Sequence, residues 1–126
     1  MPYGDLERAV LDVLWDAQPD GQPDAWLTVR EVHAALAPAR DVAYTTVMTV
    51  MERLSRKGHI VQRKDGRAYL YRPRASRSEM VAELLSDTLD DFSTHDRQSA
   101  LVAFVEDASA ADVAALREAL ARLEGT

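Results

Sequence analysis

The sequence predicts a mainly α-helical fold with a small β-hairpin: a winged helix-turn-helix followed by a helical tail. Three observations lead there. Apolar residues recur at helical spacing in three short segments before Gly58. The period then drops to two on either side of Asp65-Gly66. From Ser76 it returns to the helical value for three more segments. The expected division is a winged helix-turn-helix domain over residues 1–75 and a helical region over 76–126.

The first helix spans 5–16, where Leu6, Val10, Val13 and Leu14 form a stripe with Trp15 beside it. AQPDGQPDAW, residues 17–26, repeats QPD around a glycine and reads as a solvated loop with turns. Thr28 opens T-x-x-E with Glu31, the capping-box pattern, and Val29, Val32 and Leu36 give the second helix its apolar side until Pro38 ends it. After a short turn at Arg40-Asp41 comes YTTVMTVMERLSRKG, residues 44–58, with Gly58 in the position of a left-handed cap. HIVQRKDGRAYLYRP then reads as two β runs around Lys64-Asp65-Gly66-Arg67, and Pro73 ends the second. In the tail, Met80, Val81, Leu84, Leu85 and Leu89 mark one helix, and Leu101, Phe104 and Val105 a second. Val113, Leu116, Leu120 and Leu123 mark a third, with Ser109 as its N-cap.

The third helix is odd, because its first seven residues hold three threonines and two valines, all β-branched and mediocre helix formers. A helical wheel resolves this. Val47, Val50, Met51 and Leu54 fall on one face, where packing offsets weak propensity. Thr45, Thr49, Glu52 and Arg56 fall on the other, flanked by Thr46, Met48 and Arg53. Short hydroxyls and methyls there suit the edges of bases in a groove, which longer side chains would hold at a distance. Arg53, Arg56 and Lys57 reach further, to phosphates, and Lys64 and Arg67 sit at the tip of the wing. Glu52 either accepts from a cytosine amino group or pairs with Arg53, Arg56 or another neighbour, and the ion pair is the favoured reading.

Charge supports this placement. The formal net charge is −6, yet residues 40–74 hold nine Lys/Arg against three acids, a net of +6. Residues 1–39 carry two arginines against seven acids, and residues 75–126 four against eleven. One basic island between two acidic blocks is the footprint of a polyanion partner, although a solvated basic face would carry the same charge.

Other classes find little support. There is no cysteine, hence no disulfide framework or thiolate site. His33, His59 and His95 lie far apart without accompanying ligand spacing, and His95-Asp96 reads as a helix start. No nucleophile with its base and no phosphate-cradling glycine loop is evident, so neither an enzyme nor a cofactor or metal is expected. The N-terminus does not read as a signal peptide, and no apolar run approaches membrane-spanning length, so a cytoplasmic protein without membrane partners is expected. The rival readings are a winged helix used for protein contacts and a repressor gated by a small ligand.

RDVAYTTVMTVMERLSRKGHIVQRKDGRAYLYRP, with GDLERAVLDVLW and LTVREVHAAL upstream, resembles the penicillinase-repressor family of the BlaI/MecI type. The likeness covers nearly the whole chain and is most specific in T-V-x-T-x-x-x-R-L-x-x-K-G followed by a basic hairpin. It implies a homodimeric repressor on short palindromic operator DNA, with base-edge or phosphate roles for Thr45, Thr46, Met48, Thr49, Arg53 and Arg67. It also implies an upstream membrane sensor-protease that cuts an Asn-Phe bond, but this chain has no asparagine and Phe104 follows Ala103. The cysteine hook of copper-responsive relatives is likewise absent, and the 17–26 loop reads as an insertion against the family's shorter link.

The tail completes the reading. A segment of about 50 residues cannot bury three apolar stripes alone, so Leu84, Leu85, Leu89, Leu101, Phe104, Val105, Leu116 and Leu120 are expected at a two-fold dimer contact. Two reading helices would then sit about 34 Å apart, one DNA turn, on a palindrome.

Overall fold

The computed structural model describes residues 3–21 and 23–125. Gln22, which opens the second QPD, lies outside the described residues. Helix α1 spans Asp5–Asp16, α2 Val29–Leu36 and α3 Tyr44–Arg56, and strands β2 (Ile60–Asp65) and β3 (Ala68–Pro73) form the hairpin. Helices α4 (Arg77–Asp90), α5 (Thr94–Asp107) and α6 (Ala110–Glu124) follow. The winged-helix fold class read from the sequence is the observed one, with an added strand. β1, Leu27–Thr28, pairs antiparallel with β3, giving a sheet of order β1-β3-β2. Two residues are too few to show a period.

Local chemistry sets the boundaries. The Thr28 hydroxyl accepts from the Glu31 amide at 3.1 Å while Glu31 accepts from the Thr28 amide at 3.0 Å, closing the capping box. Ser76 and Glu79 repeat that reciprocal arrangement at the start of α4. Ser93 and Ser109 cap α5 and α6 by accepting from the Asp96 and Asp112 amides. At the end of α3, Gly58 takes φ 81°. The His59 amide then reaches back to the Leu54 carbonyl and the Gly58 amide to that of Ser55, a Schellman motif. In the hairpin Asp65 pairs with Ala68, so the turn residues are Gly66 and Arg67 rather than Asp65-Gly66. Of these two turn residues Gly66 has positive φ (63°) and Arg67 does not, the type II′ arrangement that matches strand twist.

The chain divides into two compact units, Met1–Leu84 and Leu85–Thr126. The core of the first joins Val10, Leu11, Leu14 and Trp15 of α1 to Val32 and Leu36 of α2 and to Val47, Val50, Met51 and Leu54 of α3. Ile60, Tyr71 and Met80 close it. The α3 stripe is as expected, but α1 turns Leu11 inward and leaves Leu6 and Val13 half-buried. Trp15 lies inward as well: it is buried and its indole N–H donates to the Ala75 carbonyl at 3.2 Å. The 17–26 loop is less solvated than expected, since Gln18 is buried. Its amide donates to the Leu14 and Ala25 carbonyls and accepts from the Ala25 amide, pinning the loop's ends. In the second unit no residue of α5 or α6 is buried.

Candidate nucleic-acid interface

The position of α3 is fixed from both ends. His33 on α2 donates from Nε2 to the Val42 carbonyl at 2.8 Å, just ahead of the helix, and its ring meets Tyr44 edge-on. At the far end the Schellman turn passes directly into β2. With its valines buried, the helix presents Thr45, Thr46, Thr49 and Arg53 around a shallow open cleft floored by Val50. The Thr49 hydroxyl donates to the Thr45 carbonyl at 2.9 Å. Its proton is therefore engaged, so Thr49 offers a lone pair and a methyl group to a partner, whereas Thr45 and Thr46 keep free hydroxyls among the described residues.

A second groove runs between α3, the start of α2 and the wing, lined among others by Arg30, Tyr44, Met48, Glu52, Arg67 and Tyr69. Met48 is half-buried at its floor. The expected pairing of Glu52 with Arg53 or Arg56 is not formed; Glu52 has no ion pair among the described residues. It projects toward Tyr69 and Gln62 of the wing, which share a small recess with it and Arg56. Arg53, Arg56, Lys64 and Arg67 are exposed and likewise without ion pairs among the described residues. Four uncompensated cations thus border the reading helix and the wing tip.

Lys57 differs. Its Nζ lies 3.2 Å from Glu7 on α1. The Gly4 amide donates to the same carboxylate, and with Lys57 holds its pKa below the ordinary range. Lys57 is therefore tied across the base of the domain, a role that a partner 50 residues away hid from the sequence.

Sequence reading also missed Arg30, Tyr44 and Tyr69, which reach the groove only through tertiary folding. It missed Trp26 as well: the Arg63 guanidinium lies 4.2 Å and that of Arg72 5.1 Å from its ring centre. No cluster of three or more His, Cys, Asp or Glu side chains suited to a metal occurs among the described residues.

In the tail, Leu85, Leu101, Phe104, Val105, Leu116 and Leu120 are exposed, with Phe104 54% and Leu120 56% accessible. Leu89 is half-buried, and Leu84 packs against the core of the first unit.

A family model described as penicillinase repressor matches residues 3–122. The chain belongs to the penicillinase-repressor family. It is 50% identical over 122 residues to the transcriptional regulator BlaI of two Mycobacterium tuberculosis strains, CDC 1551 / Oshkosh and ATCC 25618 / H37Rv. Each match covers 96% of this chain and 84% of the relative. Among solved structures it resembles the DNA binding domain of the repressor BlaI, at 26% identity and a TM-score of 0.50, over 61% of this chain and 85% of that one. The family read from the sequence is thus the one the comparisons return. As a penicillinase-repressor family member the chain is a transcriptional regulator and not an enzyme. No helix among the described residues is long and apolar enough to cross a membrane.

Proposed function

We propose that this chain is a cytoplasmic, homodimeric repressor that binds palindromic operator DNA, with residues 1–75 reading the duplex and 76–126 joining the two subunits. The observation that carries this is the two-sided build of α3: a buried Val/Met/Leu stripe and an open Thr face bordered by unpaired arginines. Thr45, Thr46, Met48 and Thr49 meet base edges in the major groove, where Thr49 serves as an acceptor or as a methyl contact. Arg53 and Arg56 take phosphates beside the helix, and Lys64 and Arg67 take them at the wing. Lys57 stays on Glu7 and acts by holding the end of α3 against α1.

Dimerisation follows from the exposed side chains of α5 and α6. Leu101, Phe104, Val105, Leu116 and Leu120 form more apolar surface than a monomer leaves open. Leu85 and Leu89 add to it from α4, and Leu84 is proposed to join the subunit contact as well. Release by a cut at an Asn-Phe bond is not part of this reading, because the chain has no asparagine.

A fluorescence-anisotropy salt titration tests the proposal, using a palindromic duplex from the protein's own promoter against a scrambled duplex. Tight binding to the palindrome, falling steeply with salt and saturating at two chains per site, is the expected result. Equal weak binding to both duplexes would mean that α3 does not read sequence. No binding to either at low salt would move the winged unit to protein contacts.

A further inference from the structure

The wing carries a second cationic feature on the face turned away from α3. In the hairpin, Gln62 is paired with Tyr71 and its amide donates to the Tyr71 hydroxyl at 2.8 Å, so this face of the sheet meets the core. Arg63, opposite Leu70, and Arg72, opposite Val61, project from the other face. Trp26, which leads into β1, lies on that face with a guanidinium over its ring from each strand, at 4.2 Å and 5.1 Å. Arg72 also donates to the Pro73 carbonyl at 2.9 Å. Arg63 has no hydrogen bond or ion pair among the described residues, and Asp65, on the same face two residues along, does not neutralise it.

A guanidinium stacked on an aromatic ring keeps its donors directed outward while losing the freedom that binding would otherwise cost. A planar fork of that kind matches a phosphate. Arg63 and Arg72 also lie within the basic island, with Lys64 next to Arg63 in the chain on the opposite face of the hairpin. On a chain with a net charge of −6, a basic surface of this kind is suited to attract a polyanion.

We propose that Arg63, set by Trp26 and supported by Arg72, binds backbone phosphates of the duplex flanking the half-site. The inference rests on the operator-binding reading and extends the footprint outward from it. Trp26 and Arg63 act in affinity and not in sequence choice, because phosphate contacts carry no base information.

The test uses two duplexes, the bare palindrome and the same palindrome with one helical turn, about 10 base pairs, added on each side. The wild-type protein should bind the longer duplex more tightly and with a steeper salt dependence. Arg63→Ala should lower the slope of log K against log salt on the longer duplex by about 2, near 0.9 for each of two phosphates per dimer, and leave the shorter one unchanged. Arg63→Lys should keep the slope and lose affinity for the longer duplex a few-fold, since the charge remains but the flat stacking does not. An equal effect of Arg63→Ala on both duplexes, or none on either, would overturn the proposal. An effect confined to the protein's oligomeric state would assign the platform to a protein contact and overturn it too. Wild-type protein that binds neither duplex would instead show that the operator reading itself has failed.

Discussion

His59 shows how single side chains tie this domain together. It follows the Gly58 cap, leads into β2 and stands edge-on to Tyr3, whose hydroxyl lies 3.4 Å from Nδ1. Around it are Glu7 of α1, Lys57 at the end of α3, Arg74 after β3 and Glu83 of α4. Burial, then Arg74 and Lys57, disfavour the imidazolium and push its pKa below 6.5, against smaller opposing effects from Glu7 and Glu83. The sign of the linkage follows. On acidification the unfolded chain takes the proton first, so the stability His59 contributes is complete above about pH 6.5 and is lost as the pH falls below it. The Glu7 and Glu83 carboxyls are held below 4.5 and lose their contribution only at lower pH. Urea midpoints measured at pH 7.5 and 5.5 should therefore fall for the wild type and fall less for His59→Gln. An unchanged difference would mean that another group carries the slope.

At the level of elements, α3 separates stability from recognition between its two faces. Met51 is fully buried, so Met51→Ala should cost about 2–5 kcal/mol in urea denaturation while the protein that remains folded keeps its operator affinity. Thr45→Ala, on the exposed face, should move stability by less than about 0.5 kcal/mol. It should weaken operator binding about tenfold, roughly 1.4 kcal/mol. Loss of affinity without loss of stability, measured side by side by anisotropy and denaturation, is the signature. This division was legible in the sequence because both faces obey one period. The capping box at Thr28 and the glycine cap at Gly58 were legible for a similar reason: each is a short-range pattern with one geometric solution. What escaped depends on distance or brevity. β1 is two residues long, and the Gln18 amide closes a loop by side-chain bonds that leave no periodic trace. The Lys57–Glu7 pair and the Trp26–Arg63 stack join residues far apart in sequence, so neither contact leaves a local pattern, and Trp26 and Arg63 were left without a role. Glu52 was misread in the opposite sense, since helical proximity to Arg56 does not form an ion pair when the carboxylate turns toward the wing.

For the whole molecule, the decisive quantity is how many chains hold the operator at once. Helices α5 and α6 have well-formed caps and no buried side chain, a combination in which the helices are defined locally but their apolar faces remain open. Closing those faces against a second copy would give the symmetry that a palindrome requires. The double substitution Leu116→Arg, Leu120→Arg places two charges on the open face of α6, at two side chains that are exposed. Sedimentation should then give about the 14.0 kDa of one chain, where the wild type should give twice that, 28.0 kDa. Because a second tethered reading helix raises apparent affinity through effective concentration, the variant should bind the full palindrome about 10²–10⁴-fold more weakly. Its affinity for a half-site should match that of the wild type, since α3 and the wing are untouched. A variant that sediments as a monomer yet keeps full palindrome affinity would place the subunit contact on the DNA instead, with the two winged units assembling only there. Persistence of the dimer would move the contact from α6 to α5, where Leu101, Phe104 and Val105 form the other open stripe.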